Sequence, residues 1–348
     1  MMDSRNSTLD IFKGLACIGV LFMHCLFPQP LGNAARSVGC IGVPLFFCIS
    51  GYYLAKKNDL DVYVLVKKIR HIVELIICSE AFYLLFSVFY FNLFSAANRV
   101  RVVEKYFYPG SLAKFFVLNQ PPIYAHLWFL YALVSCYISV LIFFKNKKQL
   151  KAFSNIVPVL LFCIVVLQEF SFLHIIKNGT VLLGSEVVMM KSSFFLFRAV
   201  PFFLLGFIFR EYNNKIKNLP LSANVLIGLI VIAESFAIIE GFLFSKAQFY
   251  LGNIIALFFI MFLSIKTPNM CNRPLQFLGS DLSTYVYVLH IAVFRAMDLL
   301  LLKCHLSKLI AVQYIRPILA LILTIIVSMI VKQLINVLKY QFSINCHN

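Results

Sequence analysis

Charged side chains are scarce in this sequence, at 13% of 348 residues against about a quarter in soluble domains. Hydrophobic residues reach 61%, and the mean hydropathy is +0.88. That balance excludes a soluble globular domain and leaves a polytopic membrane protein. Tryptophan is nearly missing too, with one residue against 37 Phe and 16 Tyr. The apolar residues run in long stretches, whereas an outer-membrane barrel alternates over short segments, so the chain is expected to be all-α. The ten cysteines form no CxxC pair and share no repeated spacing, so no metal site or disulfide framework is expected. Cys17, Cys25, Cys48, Cys78, Cys136 and Cys163 fall inside apolar stretches, where cysteine acts as a small apolar residue.

The net charge of +17 is not gathered into a stripe or an arm, which argues against a nucleic-acid partner. The Lys and Arg residues sit in short connections between apolar runs, as the positive-inside rule requires. Ten spans are expected, at 9–28, 39–55, 71–94, 126–144, 155–173, 194–210, 222–244, 249–265, 284–302 and 311–335. They leave no room for a soluble domain, so residues 1–348 read as a single integral-membrane domain. The first run carries Lys and His and follows a polar start, MMDSRNS, so it reads as a retained span and not a cleaved signal. In the connections and at the span ends, 17 Lys and Arg fall on the side of the N-terminus and 11 on the other. Both termini are therefore expected in the cytoplasm. The fold expected is a helical bundle of about ten transmembrane helices. Its second segment, GCIGVPLFFCISGYYLA (39–55), has glycines at 39, 42 and 51 and a proline at 44, and reads as broken or re-entrant.

Against this apolar background, the first span, LDIFKGLACIGVLFMHCLFP, stands out for Lys13 and His24. Eleven residues on an α-helix turn through three full turns plus about 20°, so both side chains share one face about 16 Å apart. Ionisable groups are costly in lipid and usually face a bundle interior or a wet cavity. A snorkelling lysine and a structurally hydrogen-bonded histidine are the competing reading of the same pair. Arg198 begins another span and is a candidate anion partner or an interfacial anchor. Arg295 is expected to pair with a group such as Asp298, three residues on. His126 is expected in interhelical packing, whereas Glu80 and Glu234 are intramembrane carboxylates with no patterned chain of such groups between them.

Four further stretches belong with the first span: GVPLFFCISGY (42–52), HLWFLYAL (126–133), RAVPFFLLGF (198–207) and FLGSDLSTYVYVLH (277–290). Their order, spacing and wording resemble the membrane-bound acyltransferase-3 family, which includes bacterial saccharide O-acyltransferases. The resemblance covers nearly the whole chain and matches the membrane core alone. It places His24 at the family's essential histidine and Lys13 at the position of the arginine eleven residues before it, with ten residues between. Lysine keeps the charge there but loses the planar fork that suits a phosphate or carboxylate. Phe46 to Tyr52 is similar to the family's second motif, and Tyr287 with His290 to its late Tyr-x-x-His.

The resemblance implies transfer of an acyl group from acetyl-CoA or another acyl-CoA to a hydroxyl of a cell-surface saccharide or lipid-linked glycan. The setting implied is the bacterial inner membrane. His24 and Lys13 are the catalytic candidates. Ser50, Tyr52, Trp128, Arg198, Tyr287 and His290 are the substrate-binding candidates, and no metal is implied. Histidine ionises near neutrality and suits the removal of a hydroxyl proton. The alternative function is a transporter or exporter of a small solute or an acylated polysaccharide.

Overall fold

The computed structural model describes residues 5–54, 61–90, 124–161, 198–243, 250–306 and 309–345. Helix dominates throughout, and no strand occurs among the described residues. The chain divides into two compact units, one made of residues 1–42 and 220–348 and the other of 43–219.

The first unit contains α1 (Ser7–His24), α2 (Leu31–Gly39) and the second half of the chain, while α3 (Gly42–Leu54) begins at the boundary between units. The interruption expected in the second span is present, but it lies at residues 40–41, between α2 and α3. Within Gly42–Leu54 the helix is continuous, so the expectation of a break inside 42–52 is corrected. The reason is positional. Pro44 falls in the first turn of α3, where a missing N–H costs no helical bond, and the chain breaks just ahead of it.

α9 (Ala223–Leu243) and α10 (Leu251–Lys266) pair closely, because a Cβ at Gly252 would strike the Ala233 carbonyl and Ala237. Glu240 accepts hydrogen bonds from the first two N–H groups of α10, Leu251 at 3.1 Å and Gly252 at 2.8 Å. A carboxylate thus satisfies donors that a helix start leaves without partners, where no water is at hand. α11 (Arg273–Phe277) runs through one π-helical turn, Leu278–Leu282, into α12 (Ser283–Lys303), and α13 (Ile310–Asn345) packs against α12. α1 lies on this π turn, with Gly14 against the Leu275 carbonyl and Gly279 against the Asp10 carbonyl.

The second unit holds α4 (Val62–Tyr90), α5 (Trp128–Phe143), α6 (Lys147–Ser154), α7 (Val200–Glu211) and α8 (Asn213–Lys217). α3 and α7 meet through glycines. A Cβ on Gly51 would fall on the Phe203 carbonyl, and one on Gly206 on the Cys48 carbonyl. Helices in lipid gain little from apolar contact alone and associate where small residues let backbones approach. Tyr131 of α5 donates to Glu80 of α4 at 2.8 Å, and Lys147 of α6 pairs with Glu211 of α7 at 2.5 Å.

Seven helical stretches among the described residues are long and apolar enough to cross a membrane, and α10 is a shorter apolar helix. The spans expected at 155–173 and 194–210 lie partly outside the described residues. α4 starts at residue 62 and not near 71, so Lys67, Lys68 and Arg70 belong to its first turns instead of a loop. Its 29 residues span about 43 Å, more than a hydrocarbon core of about 30 Å. The basic turns therefore fit outside the bilayer.

Valine at Gly206 has to displace backbone and is expected to cost more than the roughly 1–3 kcal/mol typical of overpacking. Gly228 has nothing within 4 Å of its Cβ position, and Gly228→Val should stay within about 0.5 kcal/mol of the parent. Thermal unfolding of the detergent-solubilised variants checks the contrast.

Candidate active site

α1 is fixed at its start by side chains that reach the end of α10. Asn6 caps the helix by accepting from Leu9 N–H at 2.9 Å and donates to the Ser264 carbonyl at 2.7 Å. The Thr8 hydroxyl donates to the Thr267 carbonyl and accepts from Met270 N–H at 3.2 Å. These bonds set the rotation of α1, and so the direction of the face that carries Lys13 and His24.

Lys13 is half-buried beside the π turn, where the Cβ position of Gly279 lies 2.9 Å from its own Cβ. Arg5 pairs with Asp10 at 2.5 Å and approaches Asp281 at 3.9 Å, while Lys332 of α13 pairs with Asp281 at 2.8 Å. Asp10, Arg5 and Asp281 are all within electrostatic reach of Lys13. Three cations thus surround two carboxylates at this end of α1, and the cluster is positive by one charge.

Three turns further along α1, His24 is exposed and forms no hydrogen bond among the described residues. Its ring lies 5.0 Å from that of His290 in α12, at an interplanar angle of 49°. His290 is buried at 1% exposure. Its Nδ1 lies 2.7 Å from the Tyr287 carbonyl and 3.1 Å from the Val286 carbonyl. Both neighbours only accept, so Nδ1 carries the hydrogen and Nε2 the lone pair. Tyr287 flanks the pair, 6.2 Å from the His290 ring. Two histidines and a tyrosine, from helices far apart in sequence, are brought together by α1 lying along α12.

The remaining candidates belong to the second unit. Ser50 donates to the Phe46 carbonyl of its own helix at 2.8 Å and is hydrogen-bonded to Tyr137. The Tyr52 hydroxyl donates to Asn213 at 3.1 Å and accepts from Arg210 at 3.4 Å, and the Arg210 guanidinium lies over its ring. The Arg198 guanidinium stands 5.7 Å from the Trp128 ring centre, and Phe47 packs 6.0 Å from that ring. His126 packs edge-on against Tyr83 at 5.0 Å.

A family model for an acyltransferase domain matches residues 6–337, nearly the whole chain. The chain belongs to this acyltransferase family. Comparison with curated proteins and with solved structures returned no match. In this acyltransferase, no group of three His, Cys, Asp or Glu side chains is placed to hold a metal ion among the described residues. The intramembrane carboxylates have local partners, Glu80 with Tyr131 and Glu234 with Asn253 at 3.2 Å.

Two features went unread in the sequence. Arg36 of α2 lies close enough to His24 for their charges to interact, and it hydrogen-bonds Tyr250. Its signal was an arginine between the small residues of LGNAARSVG. Asp298, expected as a partner of Arg295, pairs with Arg316 of α13 at 2.7 Å, an approach no local spacing gives.

The exposure of the two histidines makes a direct prediction. Diethyl pyrocarbonate should modify His24 of the solubilised acyltransferase well before His290, read by peptide mass spectrometry. Equal rates would mean that the two rings are not packed as described.

Proposed function

We propose that this acyltransferase moves an acyl group from cytoplasmic acyl-CoA to a hydroxyl of a cell-surface saccharide or lipid-linked sugar, with His24 as general base. The observation that carries the reading is the exposed His24 ring beside the buried His290, on the same α1 face as Lys13. As the acceptor oxygen attacks the thioester carbonyl carbon, its proton passes to the His24 imidazole. Collapse of the tetrahedral intermediate breaks the carbon–sulfur bond, and the imidazolium returns the proton to the leaving thiolate. His290 and Tyr287 border the reacting end. The positive cluster of Arg5, Lys13 and Lys332 suits the phosphates of the donor. Trp128 and Arg198, stacked on each other in the second unit, offer an aromatic and cationic surface for substrate.

The charge bias of the loops supports an orientation with both termini in the cytoplasm, and the likeness to bacterial saccharide O-acyltransferases supports the bacterial inner membrane as the setting. The donor end of α1 then faces the acyl-CoA pool and His24 faces outward. Cysteines placed at positions 5 and 345 should react with a membrane-impermeant maleimide only after the cells are opened. Labelling of intact cells at either position overturns the orientation.

His24→Ala should lower transfer roughly 10²–10⁴-fold with the protein still inserted. Lys13→Ala should mainly raise the KM for acyl-CoA, because a phosphate clamp binds ground and transition states alike. Lys13→Arg should keep most of the activity. Mass spectrometry of surface glycans from cells with and without the protein reads the product as one added acyl mass. A well-folded His24→Ala protein with full transfer activity would sink the mechanism.

A further inference from the structure

Beyond the last residue of α1 the chain turns through Leu26, Phe27 and Pro28, and these residues wall a cavity of about 390 Å³. Its volume is within the range of about 300–1,000 Å³ usual for small-molecule sites. The far wall comes from the end of α12 and the start of α13, with Asp298, Gln313 and Arg316 as its polar groups. Cys25, adjacent to His24, is within electrostatic reach of both Asp298 and Arg316. The cavity wall thus begins at Leu26, two residues beyond His24 in the chain, and all of it lies in the first unit.

The polar groups are only partly satisfied. Arg316 donates from Nη2 to Asp298 Oδ2 at 2.7 Å, and its Nε is buried with no hydrogen-bond partner among the described residues. The side-chain amide of Gln313 makes no hydrogen bond among those residues. Pro317, inside α13, has no N–H and so withholds the helical donor from the Gln313 carbonyl four residues earlier. The buried Arg316 Nε is thus a donor whose lack of a partner costs free energy, and the exposed Gln313 amide stands beside it with both a donor and an acceptor to offer.

The charges select the occupant. An anion would meet the Asp298 carboxylate and a cation the Arg316 guanidinium, so the pair disfavours both. A neutral polyol fits, because each hydroxyl both donates and accepts and can answer a carboxylate, an amide and a guanidinium together. The apolar wall, with Phe27, Leu301 and Val312, matches the C–H face of a sugar ring. We infer that this cavity is the subsite for the acceptor sugar, held by Asp298, Gln313 and Arg316. The inference rests on the reading of His24 as the base, since it places the accepting hydroxyl next to that residue.

The test measures binding first, without donor. Purified full-length protein in nanodiscs is titrated with the methyl glycosides of glucose, galactose, mannose, rhamnose and N-acetylglucosamine, read by calorimetry. At least one glycoside should bind to the parent protein. Gln313→Ala and Arg316→Lys should each weaken it roughly tenfold, the loss of one or two hydrogen bonds. Arg316→Lys keeps the charge opposite Asp298 and so the fold, but removes Nε. A glycoside that binds should also be acylated from acetyl-CoA, with the variants raising the KM for glycoside and not for acetyl-CoA.

Binding of no glycoside overturns the subsite. So does unchanged glycoside binding in both variants, which would make Asp298 and Arg316 a clamp between α12 and α13. Binding that is lost in the variants, in a protein that transfers no acyl group, would uphold the subsite and overturn the acyl-transfer reading instead.

Discussion

A helix that carries Asp10, Lys13 and His24 stays within a bilayer only when other helices enclose that face, because each charge left in lipid costs several kcal/mol. α1 meets this constraint most fully at its start, where Asp10 is buried, and only on one side of the ring at its end, where His24 is exposed. At its start, Asn6 and Thr8 tie it to the last residues of α10, and Asp10 holds Arg5. Along its length, Gly14 and Gly279 bring α1 and the π turn to backbone contact. At its end, His24 rests beside His290. The position of the candidate base thus follows from how α1 is held and not from its own sequence alone.

Polar side chains inside the spans are used economically. Glu240 caps α10, Tyr131 binds Glu80, Asn253 links Glu234 to the Ser37 carbonyl, and Asp298 binds Arg316. Each joins two elements within one unit, which replaces the apolar driving force that lipid withholds. Glycine does the complementary work where backbones must meet, as Gly51 and Gly206 do between α3 and α7. The glycines of the second and fourth motifs thus have a packing role apart from any chemistry, as does Ser50, bonded within its own helix.

The acyltransferase keeps its ionisable groups in separate places with separate chemistry. The Lys13 end of α1 is a net-positive cluster, and the His24 end adjoins the rings of His290 and Tyr287. The two ends lie about three helical turns apart. A single straight helix supplies that spacing without a hinge.

Much of this was legible in the sequence. Long apolar runs with few charges gave an all-helical membrane chain, and the eleven-residue spacing put Lys13 and His24 on one face, since helical periodicity is a local property. Motif wording pointed to the acyltransferase family. The sequence also carried the break in the second segment, though Pro44 sits in the first turn of α3 and the break falls before it. Other features depended on distant partners. His290 beside His24, Arg36 near the same ring, and Asp298 turned to Arg316 instead of a neighbour on its own helix all depend on how helices cross. That crossing is set by glycine contacts and buried hydrogen bonds between residues hundreds of positions apart, and no local spacing encodes it.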